Sequence, residues 1–305
     1  MCLVIGIGGG GDILGCLPMM FFLERLGVPV VLGSLTWERI EVSGKPGPRA
    51  LDEIDGIVRI SETVALAGPQ TKTKSGVVFQ ASKLSKILGR GVILVDINKG
   101  VKGIIRGLKD LAKRVNIGAI IGIDVGGDVL AEGKEPGLQS PLADSMMLAA
   151  LAQMDVPTII GVFGVGCDGE LTVDEALSRI EEVARMGGYL GAIGMLRDEY
   201  VIMKEALTII ETEASRLPVL VFDGNLGLKI IRRGRRYAHV SILSTLVFLL
   251  SPNVLYSISP LAQAVAHTES FMEAVEALHR LGIKTEYDYE LEAVGHDQAR
   301  KRYVD

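Results

Sequence analysis

The chain has 305 residues, of which 48% are hydrophobic, and its formal net charge is −5 at pH 7. This composition allows a large buried core, and the acidic balance excludes the overall basic field with which proteins hold nucleic acids or anionic membranes. The three cysteines include no C-x-x-C pair, so neither a disulfide framework nor a cysteine zinc site is indicated, and a cytoplasmic protein is favoured.

Short runs rich in Val and Ile alternate with amphipathic segments, a pattern typical of a parallel sheet with helices on both faces. We therefore predict an α/β fold with a Rossmann-like, doubly wound and mainly parallel sheet, in a single domain over residues 1–305. The amphipathic run 100–115 is predicted to be one of the helices. The predicted strands lie at residues 2–7, 29–33, 76–80, 91–96, 117–123, 157–163, 218–222 and 253–257.

The stretch 237–268 contains no Asp, Glu, Lys or Arg, so a membrane span has to be considered. Two prolines and an asparagine interrupt its apolar part before the ~20 residues that a span requires. We expect instead a buried helix with a polar stripe of Ser241, Ser244 and Thr245, and no membrane association.

Two nearly identical turns are the most specific feature of the sequence. The decapeptide IGIGGGGDIL at residues 5–14 returns as IGIDVGGDVL at residues 121–130, and both continue from a predicted strand. In an open parallel sheet, ligands bind beyond the carboxyl ends of the strands where the strand order reverses. We therefore predict that the two turns form two walls of one site, with Asp12 and Asp128 facing the same crevice. The alternative is that both turns only reflect how glycine makes tight connections between strand and helix.

Aspartate recurs at these turns and near other strand ends. Asp12 could be a helix N-cap, a Mg²⁺ ligand or an acceptor for ligand hydroxyls. Carboxylates gathered in one place are costly unless cations or hydroxyls satisfy them, which favours a functional role. The other aspartates of this pattern are Asp124, Asp128, Asp144 and Asp168.

The first turn also contains G-x-G-x-x-G at residues 6–11, whose backbone N–H groups could approach a phosphate. Two features argue against ordinary NAD binding: Asp12 places a carboxylate beside the expected pyrophosphate, and Ser34 stands where an acidic ribose ligand is expected. Pro18 also shortens or kinks the following helix. The glycines predicted to receive the anionic part of a ligand are Gly8, Gly9, Gly10, Gly11, Gly126 and Gly127.

Three further segments contain candidate ligand contacts. Trp37 could stack on a base and Arg39 could bind a phosphate, although a lone tryptophan is more often part of a core. Ser140, before Pro141, is predicted first as an N-cap and second as a ligand. The basic run KIIRRGRR at residues 229–236 could hold phosphate or pair with another subunit, but a solvated surface is its simplest explanation.

The motifs GIGGGGDIL, TWER, DVGGDVL, SPLAD and GVGCDGEL together resemble those of an uncharacterised, mostly archaeal protein family known only as a domain of unknown function. The resemblance covers most of the chain and implies a cytoplasmic, single-domain α/β protein. It implies no activity, cofactor or catalytic residue. The scarcity of Asn and Gln adds the expectation of a thermophilic source.

The leading functional hypothesis is an enzyme that acts on a small polar metabolite, of the nucleotide or sugar-phosphate type, at the crevice between the two Gly-Gly-Asp turns. Mg²⁺ would assist the reaction, and Asp12 and Asp128 are the candidate catalytic residues. One alternative is an NAD(P)-binding Rossmann-like oxidoreductase. The aspartates fit an NAD(P) cofactor less well than they fit Mg²⁺. The other is a non-catalytic metabolite-binding or assembly protein, a homo-oligomer joined through the basic run and the segment 237–268.

Overall fold

The computed structural model describes residues 1–302, apart from the side chains of residues 233 and 296–302. The strands are β1 (Cys2–Gly6), β2 (Val30–Leu35), β3 (Ile54–Arg59), β4 (Val64–Thr73), β5 (Val92–Val95), β6 (Ala119–Val125), β7 (Thr158–Phe163), β8 (Tyr189–Gly194), β9 (Gly227–Ile231), β10 (Arg236–Val240) and β11 (Leu246–Leu250). The helices are α1 (Leu17–Arg25), α2 (Ile40–Ser43), α3 (Gln80–Leu88), α4 (Gly100–Val115), α5 (Pro141–Leu151), α6 (Val173–Arg185), α7 (Arg197–Ala206), α8 (Leu217–Phe222), α9 (Pro252–Ser257), α10 (Pro260–Val265), α11 (Phe271–Arg280) and α12 (Glu286–Arg302). Short 3-10 turns cover Gly10–Cys16, Leu51–Glu53, Asp128–Leu130, Arg232–Gly234 and Ile242–Thr245.

Nine strands form one mixed sheet in the order β3-β4-β5-β2-β1-β6-β7-β11-β8. The five strands from β5 to β7 are parallel to their neighbours within that run, whereas β4 and β11 are antiparallel to theirs. The chain builds the sheet outward from β1 to β2 and β5, and then returns to build β6 and β7 on the other side. This is the strand order of a doubly wound, Rossmann-like sheet. The predicted α/β fold with a mainly parallel sheet is confirmed.

The central strand β1 is buried on both faces of the sheet. Leu3 and Ile5 pack into a core with apolar side chains of α4, α5 and α11, whereas Cys2 and Val4 pack into a second core with side chains of α1 and α3. Neighbouring residues of a strand point to opposite faces, so a continuous apolar run fits between two helical layers. Each fully buried Leu or Ile contributes about 1.5–3 kcal/mol to folding.

Five predicted strands coincide with β1, β2, β5, β6 and β7, and the predicted helix 100–115 is α4. Val101, Ile104, Leu108 and Leu111 of α4 are buried, as its apolar spacing predicts. The central strands and this helix were predictable because each has a long or continuous apolar pattern.

Three predicted strands are wrong. Residues 218–222 lie in α8 and residues 253–257 lie in α9, while residues 76–80 form the turn that leads into α3. Pro218 and Pro252 occupy the first turn of their helices, where the fixed φ of proline suits the helix. A short apolar run does not by itself distinguish a strand from a buried helix.

The predicted buried helix through Ser241, Ser244 and Thr245 is also wrong, because a 3-10 turn at Ile242–Thr245 leads into the strand β11. The outer strands β3, β4, β8 and β11, and the separate hairpin of β9 and β10, were not predicted. None of the helices in residues 1–302 is both long and apolar enough to cross a membrane.

Candidate functional site

The strands β1 and β6 lie side by side, and the strand order reverses between them. Gly6 pairs with Ile123 near the carboxyl ends of the two strands. One 3-10 turn, Gly10–Cys16, follows β1, and another, Asp128–Leu130, follows β6. The two Gly-Gly-Asp turns therefore leave the sheet from neighbouring strands, at the edge where open α/β sheets bind ligands.

Three aspartates converge at this edge. Asp12, Asp124 and Asp144 each offer a carboxylate oxygen, and these oxygens lie within 4.8 Å of one another. We call these residues the three-carboxylate group. Oxygen ligands on opposite sides of one ion lie about 4.2 Å apart for Mg²⁺ and about 4.8 Å apart for Ca²⁺. The spacing therefore suits a single hard divalent cation.

The three-carboxylate group is held by different elements of the fold. Asp12 comes from the turn after β1, Asp124 from the end of β6 and Asp144 from the first turns of α5. Asp124 and Asp144 are only 2% and 1% exposed. Asp12 as a whole residue is less deeply buried than the other two, although its carboxylate is turned towards them.

The hydrogen bonds of the group are incomplete. Asp12 Oδ2 accepts from the Gly8 N–H at 2.8 Å, and Asp124 Oδ2 accepts from the Val129 N–H at 3.1 Å. Within the described structure, neither oxygen of Asp144 has a hydrogen-bond partner. Because buried polar atoms are nearly always satisfied in folded proteins, Asp144 points to a ligand that binds between these carboxylates.

Burial and mutual repulsion disfavour the charged forms of the group. Burial of the Asp12 carboxylate raises its pKa to about 7. Burial, together with the charges of neighbouring aspartates, raises the pKa values of Asp124 and Asp144 well above their usual range. At neutral pH the group therefore holds protons unless a cation replaces them.

A second group of polar side chains, which we call the Ser140 cluster, adjoins the first. It consists of Asp128, Ser140, Asp168, Glu170 and Arg236. Ser140 Oγ lies 2.9 Å from Asp128 Oδ2 and also contacts Glu170 Oε1. Glu170 accepts two backbone N–H groups at 2.7 Å and Arg236 Nη1 at 2.6 Å. One oxygen of Asp128 and one of Asp168 are buried without an N–H or hydroxyl donor in the described structure, and the side chains of the two acids are hydrogen-bonded to each other.

The two acids on either side of Ser140 differ in their electrostatics. Burial, followed by the charges of Asp168 and Glu170, raises the pKa of Asp128 well above its usual range. Burial acts in the same direction on Glu170, but Arg236 and hydrogen bonds from Ser140 outweigh it and lower the pKa of Glu170. The cluster therefore joins a carboxyl that favours its neutral form to one that favours its charged form.

Arg39 supplies a cation beside the three-carboxylate group. Its Nη2 donates to the Gly8 carbonyl at 2.7 Å, and its Nη1 lies 3.8 Å from Glu286 Oε1 without a hydrogen-bond partner in the described structure. Although burial opposes the charge of Arg39, the carboxylates of Glu286 and Glu290 raise its pKa. Arg39 thus keeps its charge and has a buried N–H donor to offer to an anion.

The first glycine turn lies directly against carboxylates. A Cβ at Gly8 would lie 2.7 Å from Asp12 Oδ2 and 2.9 Å from Asp144 Oδ2, and a Cβ at Gly10 would lie 2.4 Å from Glu38 Oε2. A dinucleotide-binding loop would present this surface to a pyrophosphate. Here an anion could approach the turn only if a cation screened the carboxylates.

The other predicted glycines lie around the same edge. A Cβ at Gly126, where φ is 126°, would lie 2.1 Å from Asp168 Oδ2. Gly127 also has a positive φ, of 130°. Gly9 lies beside the Arg39 guanidinium, and Gly11 packs against Thr212. Only glycine allows Asp168 to lie this close to the second turn.

Trp37 is fully buried and does not present a stacking surface. Its Nε1 donates to Glu290 at 3.1 Å, and the Phe271 ring packs edge-to-face against it at 5.2 Å. The Arg39 guanidinium lies 5.4 Å from the centre of the indole ring. This placement corresponds to the core role of Trp37 and leaves no open face for a base.

The basic run 229–236 does not behave as one solvated surface. Arg236 is 11% exposed and enters the Ser140 cluster, whereas Arg232 forms a surface contact with Glu213 at 3.5 Å. The side chain of Arg233 lies outside the described residues. The position of Arg236 in the cluster was not predictable from the run of charges.

Four glutamates at the site were not predicted as contacts. Glu170 lies two residues after Asp168, and Glu38 accepts from the N–H at the start of α3 at 2.7 Å. Glu286 and Glu290 come from α12, far along the chain. No local motif signals Glu286 and Glu290, because their roles depend on which loop α12 packs against.

A surface hollow of about 340 Å³ lies near Lys45, Arg49 and Phe271, and it includes none of the three carboxylates. A ligand reaching the three-carboxylate group would therefore have to enter by another path. Gly11 and Asp12 are partly exposed, which makes the first glycine turn the side from which the group can be reached.

A family model described as "Protein of unknown function (DUF1152)" matches residues 3–294, which is nearly the whole chain. A comparison with curated proteins gives no significant match.

Proposed function

The chain belongs to the DUF1152 family, and we propose that it is a Mg²⁺-dependent enzyme acting on a small polar metabolite of the nucleotide or sugar-phosphate type. The family description names no activity, so the proposal rests on the site. The observation that carries it is the three-carboxylate group, in which both oxygens of the buried Asp144 have no partner.

The donor set favours a hard cation. The three-carboxylate group offers only oxygen ligands, which Mg²⁺ and Ca²⁺ prefer over the nitrogen and sulfur ligands of zinc sites. A cation at this position would compensate the charges that burial disfavours. We favour Mg²⁺ because it commonly combines one or two carboxylates with the phosphate oxygens of a substrate.

The surroundings of the group favour an anionic ligand once the cation is present. Arg39 Nη1 is buried and has no hydrogen-bond partner in the described structure, although Glu286 lies 3.8 Å away, and a guanidinium is well suited to phosphate oxygens. The Gly8 turn allows a ligand to come close to the backbone. A phosphate could therefore bridge the cation and Arg39.

The same edge of the sheet also contains groups that suit catalysis. The pKa of Asp12, raised by burial to about 7, lies where a general acid or base is effective. A bound divalent cation would polarise a phosphoryl oxygen or activate a water molecule. Asp12 and Asp128 remain the candidates for proton transfer, and Asp12 is the less deeply buried residue of the two.

The three cysteines support a reducing cytoplasm as the setting of this activity. Cys2, Cys16 and Cys167 are all free and buried. Burial raises the pKa of Cys167 to about 12, so its thiol is not activated as a nucleophile.

Thermal unfolding of metal-stripped protein tests the cation site. We expect Mg²⁺ and Mn²⁺ at millimolar concentration to raise the Tm, because binding at a hundredfold excess over Kd stabilises the folded state by about 2.7 kcal/mol. Asp144→Asn should lose most of this rise. Asp110→Asn, which replaces an exposed aspartate of α4, should keep it. An equal rise in Asp144→Asn would contradict the proposal.

A second measurement tests the ligand class. The Mg²⁺-loaded protein is titrated with nucleoside phosphates and sugar phosphates, and both the Tm and the release of inorganic phosphate are followed. We expect a further rise in Tm that needs Mg²⁺ and is weakened by Arg39→Lys, since lysine lacks the forked donors of arginine. A rise with NAD(H) or NADP(H) that is independent of Mg²⁺ would favour an oxidoreductase instead.

A further inference from the structure

We propose that the Ser140 cluster is a proton relay, in which Asp128 is a neutral carboxylic acid joined through the Ser140 hydroxyl to an ionised Glu170. The use of this relay in catalysis rests on the proposed function. The protonation of Asp128 itself can be tested independently.

The number of hydrogens in the cluster requires an extra proton. Ser140 Oγ contacts a carboxylate oxygen on each side, Asp128 Oδ2 at 2.9 Å and Glu170 Oε1. A serine hydroxyl has one hydrogen and can donate only once, whereas an ionised carboxylate only accepts. One of the two carboxyl groups must therefore supply a hydrogen to Ser140.

The neighbours of the two carboxyls assign that hydrogen to Asp128. Glu170 accepts from Arg236 and from two backbone N–H groups, and such donors stabilise the ionised form. Asp128 lies instead against a second buried acid, Asp168, and the hydrogen bond between their side chains favours the neutral form of Asp128. The hydroxyl of Ser140 thus donates to Glu170 and accepts from Asp128 Oδ2.

The charged groups around Asp128 support this assignment. The acids that act on it come from two places: Asp124 at the end of β6, and Asp168 and Glu170 after β7. The cation of the cluster, Arg236 from β10, is paired with Glu170. Ionising Asp128 would add another negative charge to a buried set of acids whose cation is already paired.

The relay has one open end. Asp128 Oδ1 and Asp168 Oδ2 are buried and receive no N–H or hydroxyl donor in the described structure, and Asp168 Oδ2 lies against Gly126, in the turn between Asp124 and Asp128. A ligand group X–H could give its proton to Asp128 Oδ1 while the Oδ2 proton moves to Ser140 and the Ser140 proton moves to Glu170. The products are X⁻ and neutral Glu170, with Asp128 and Ser140 again carrying one proton each.

Infrared difference spectroscopy tests the assignment directly. We expect the protein at pH 7.5 to show the carbonyl band of a protonated carboxylic acid, and we expect Asp128→Asn to lose one component of it. The spectra are recorded with Mg²⁺, which deprotonates its own ligands, and without metal. Ser82→Ala, which removes a buried hydroxyl without a hydrogen-bond partner, should leave the band unchanged.

Ser140→Ala is the second variant. It removes the acceptor for Asp128, so we expect the acid band to shift, while the Tm rise with Mg²⁺ persists because the three-carboxylate group is intact. Asp128→Asn should change the Tm by less than about 4 °C, since the amide can still donate to Ser140. An acid band that is identical in the wild type, Asp128→Asn and Ser140→Ala would overturn the relay. Failure of the Mg²⁺ response alone would overturn only the proposed function.

Discussion

At the scale of single residues, Asp144 shows how a residue of a candidate site can lower the stability of the folded protein. Its carboxylate is 1% exposed and neither oxygen is hydrogen-bonded within the described structure. An ionised carboxylate in such a position destabilises the fold until a ligand compensates it. The metal-free protein should therefore become more stable when this charge is removed, as is common for residues kept for function.

We predict that Asp144→Asn raises the free energy of unfolding of the metal-free protein at pH 8 by about 1–3 kcal/mol. The physical reason is that the pKa of Asp144 is raised by burial and by neighbouring aspartates, and each unit of such a shift corresponds to 1.36 kcal/mol. Urea unfolding of both proteins in the presence of a chelator measures the difference. Asp110→Asn is the control and should change stability by less than about 0.5 kcal/mol. A lower stability of Asp144→Asn would show that its carboxylate is already compensated in the metal-free protein.

The sequence predicts some of these residues and not others, for a physical reason. Asp12 and Asp124 follow strands whose apolar runs are visible, so their place at one edge of the sheet follows from the topology. Glu286 is different because it reaches the site from the last helix, and nothing in the local sequence tells which loop that helix contacts. Predictions from sequence are limited here by long-range packing.

At the scale of elements, the start of α5 is the part of the fold that positions Asp144. The sequence predicts Ser140 as its N-cap, but the Ser140 side chain makes no capping hydrogen bond and turns to Asp128 and Glu170. Glu286 of α12 takes over the capping role and accepts from the Leu142 and Ala143 N–H groups, both at 2.9 Å. The helix start is therefore capped from another element, which frees Ser140 for the relay.

We predict that Glu286→Ala lowers the free energy of unfolding by about 1–3 kcal/mol, because it leaves two buried N–H groups of α5 without an acceptor. It should also weaken the rise in Tm with Mg²⁺, since Asp144 lies within the same turns. Denaturant unfolding and the Mg²⁺ titration measure the two effects. Glu292→Ala on the same helix removes only an exposed ion pair with Lys284 and should cost less than about 1 kcal/mol. Equal effects of the two substitutions would contradict the capping role.

The errors in predicted strands also belong to this scale. The apolar segment 246–257 holds a strand followed by a helix, which is the reverse of the predicted order. Pro252 marks the change, because proline fits the first turn of a helix and lacks the N–H of a sheet ladder. The edge strands β3 and β8 were missed because their alternation of apolar and polar residues is short. Many of their side chains are also exposed.

At the scale of the whole molecule, the balance of buried acids makes stability depend on pH in an unusual direction. Burial raises the pKa of Glu38 to about 7 and that of Glu286 to about 6. The pKa of Asp12 is also raised, to about 7. Between about pH 4 and about pH 7 the folded chain therefore binds more protons than the unfolded chain. Stability should fall as the pH rises from about 4 to about 7.

We predict that the metal-free protein loses at least about 2 kcal/mol of unfolding free energy between pH 5 and pH 8. Saturating Mg²⁺ should reduce this loss, because the cation binds to the deprotonated carboxylates and replaces their protons. Urea unfolding at a series of pH values, with and without Mg²⁺, measures both curves. Stability that rises with pH in the metal-free protein would mean that the buried acids are ionised and compensated without a cation.

The general architecture was predictable because the central sheet is built from continuous apolar strands in a doubly wound order. The single domain over residues 1–305 stays a prediction, as does a homo-oligomer. The β9–β10 hairpin exposes the apolar side chains of Leu228, Ile230 and Tyr237. The apolar pattern of segment 237–268 did not predict this exposed surface.

The last helix has a consequence for the synthesis of the protein. Glu286 and Glu290 of α12 hold the start of α5, the Trp37 indole and the backbone N–H groups of Ile40 and Gly47. The first strand leaves the ribosome long before these residues do. A nascent chain can thus build its central strands early, but the contacts that hold the start of α5 and the Trp37 indole can form only after α12 has emerged.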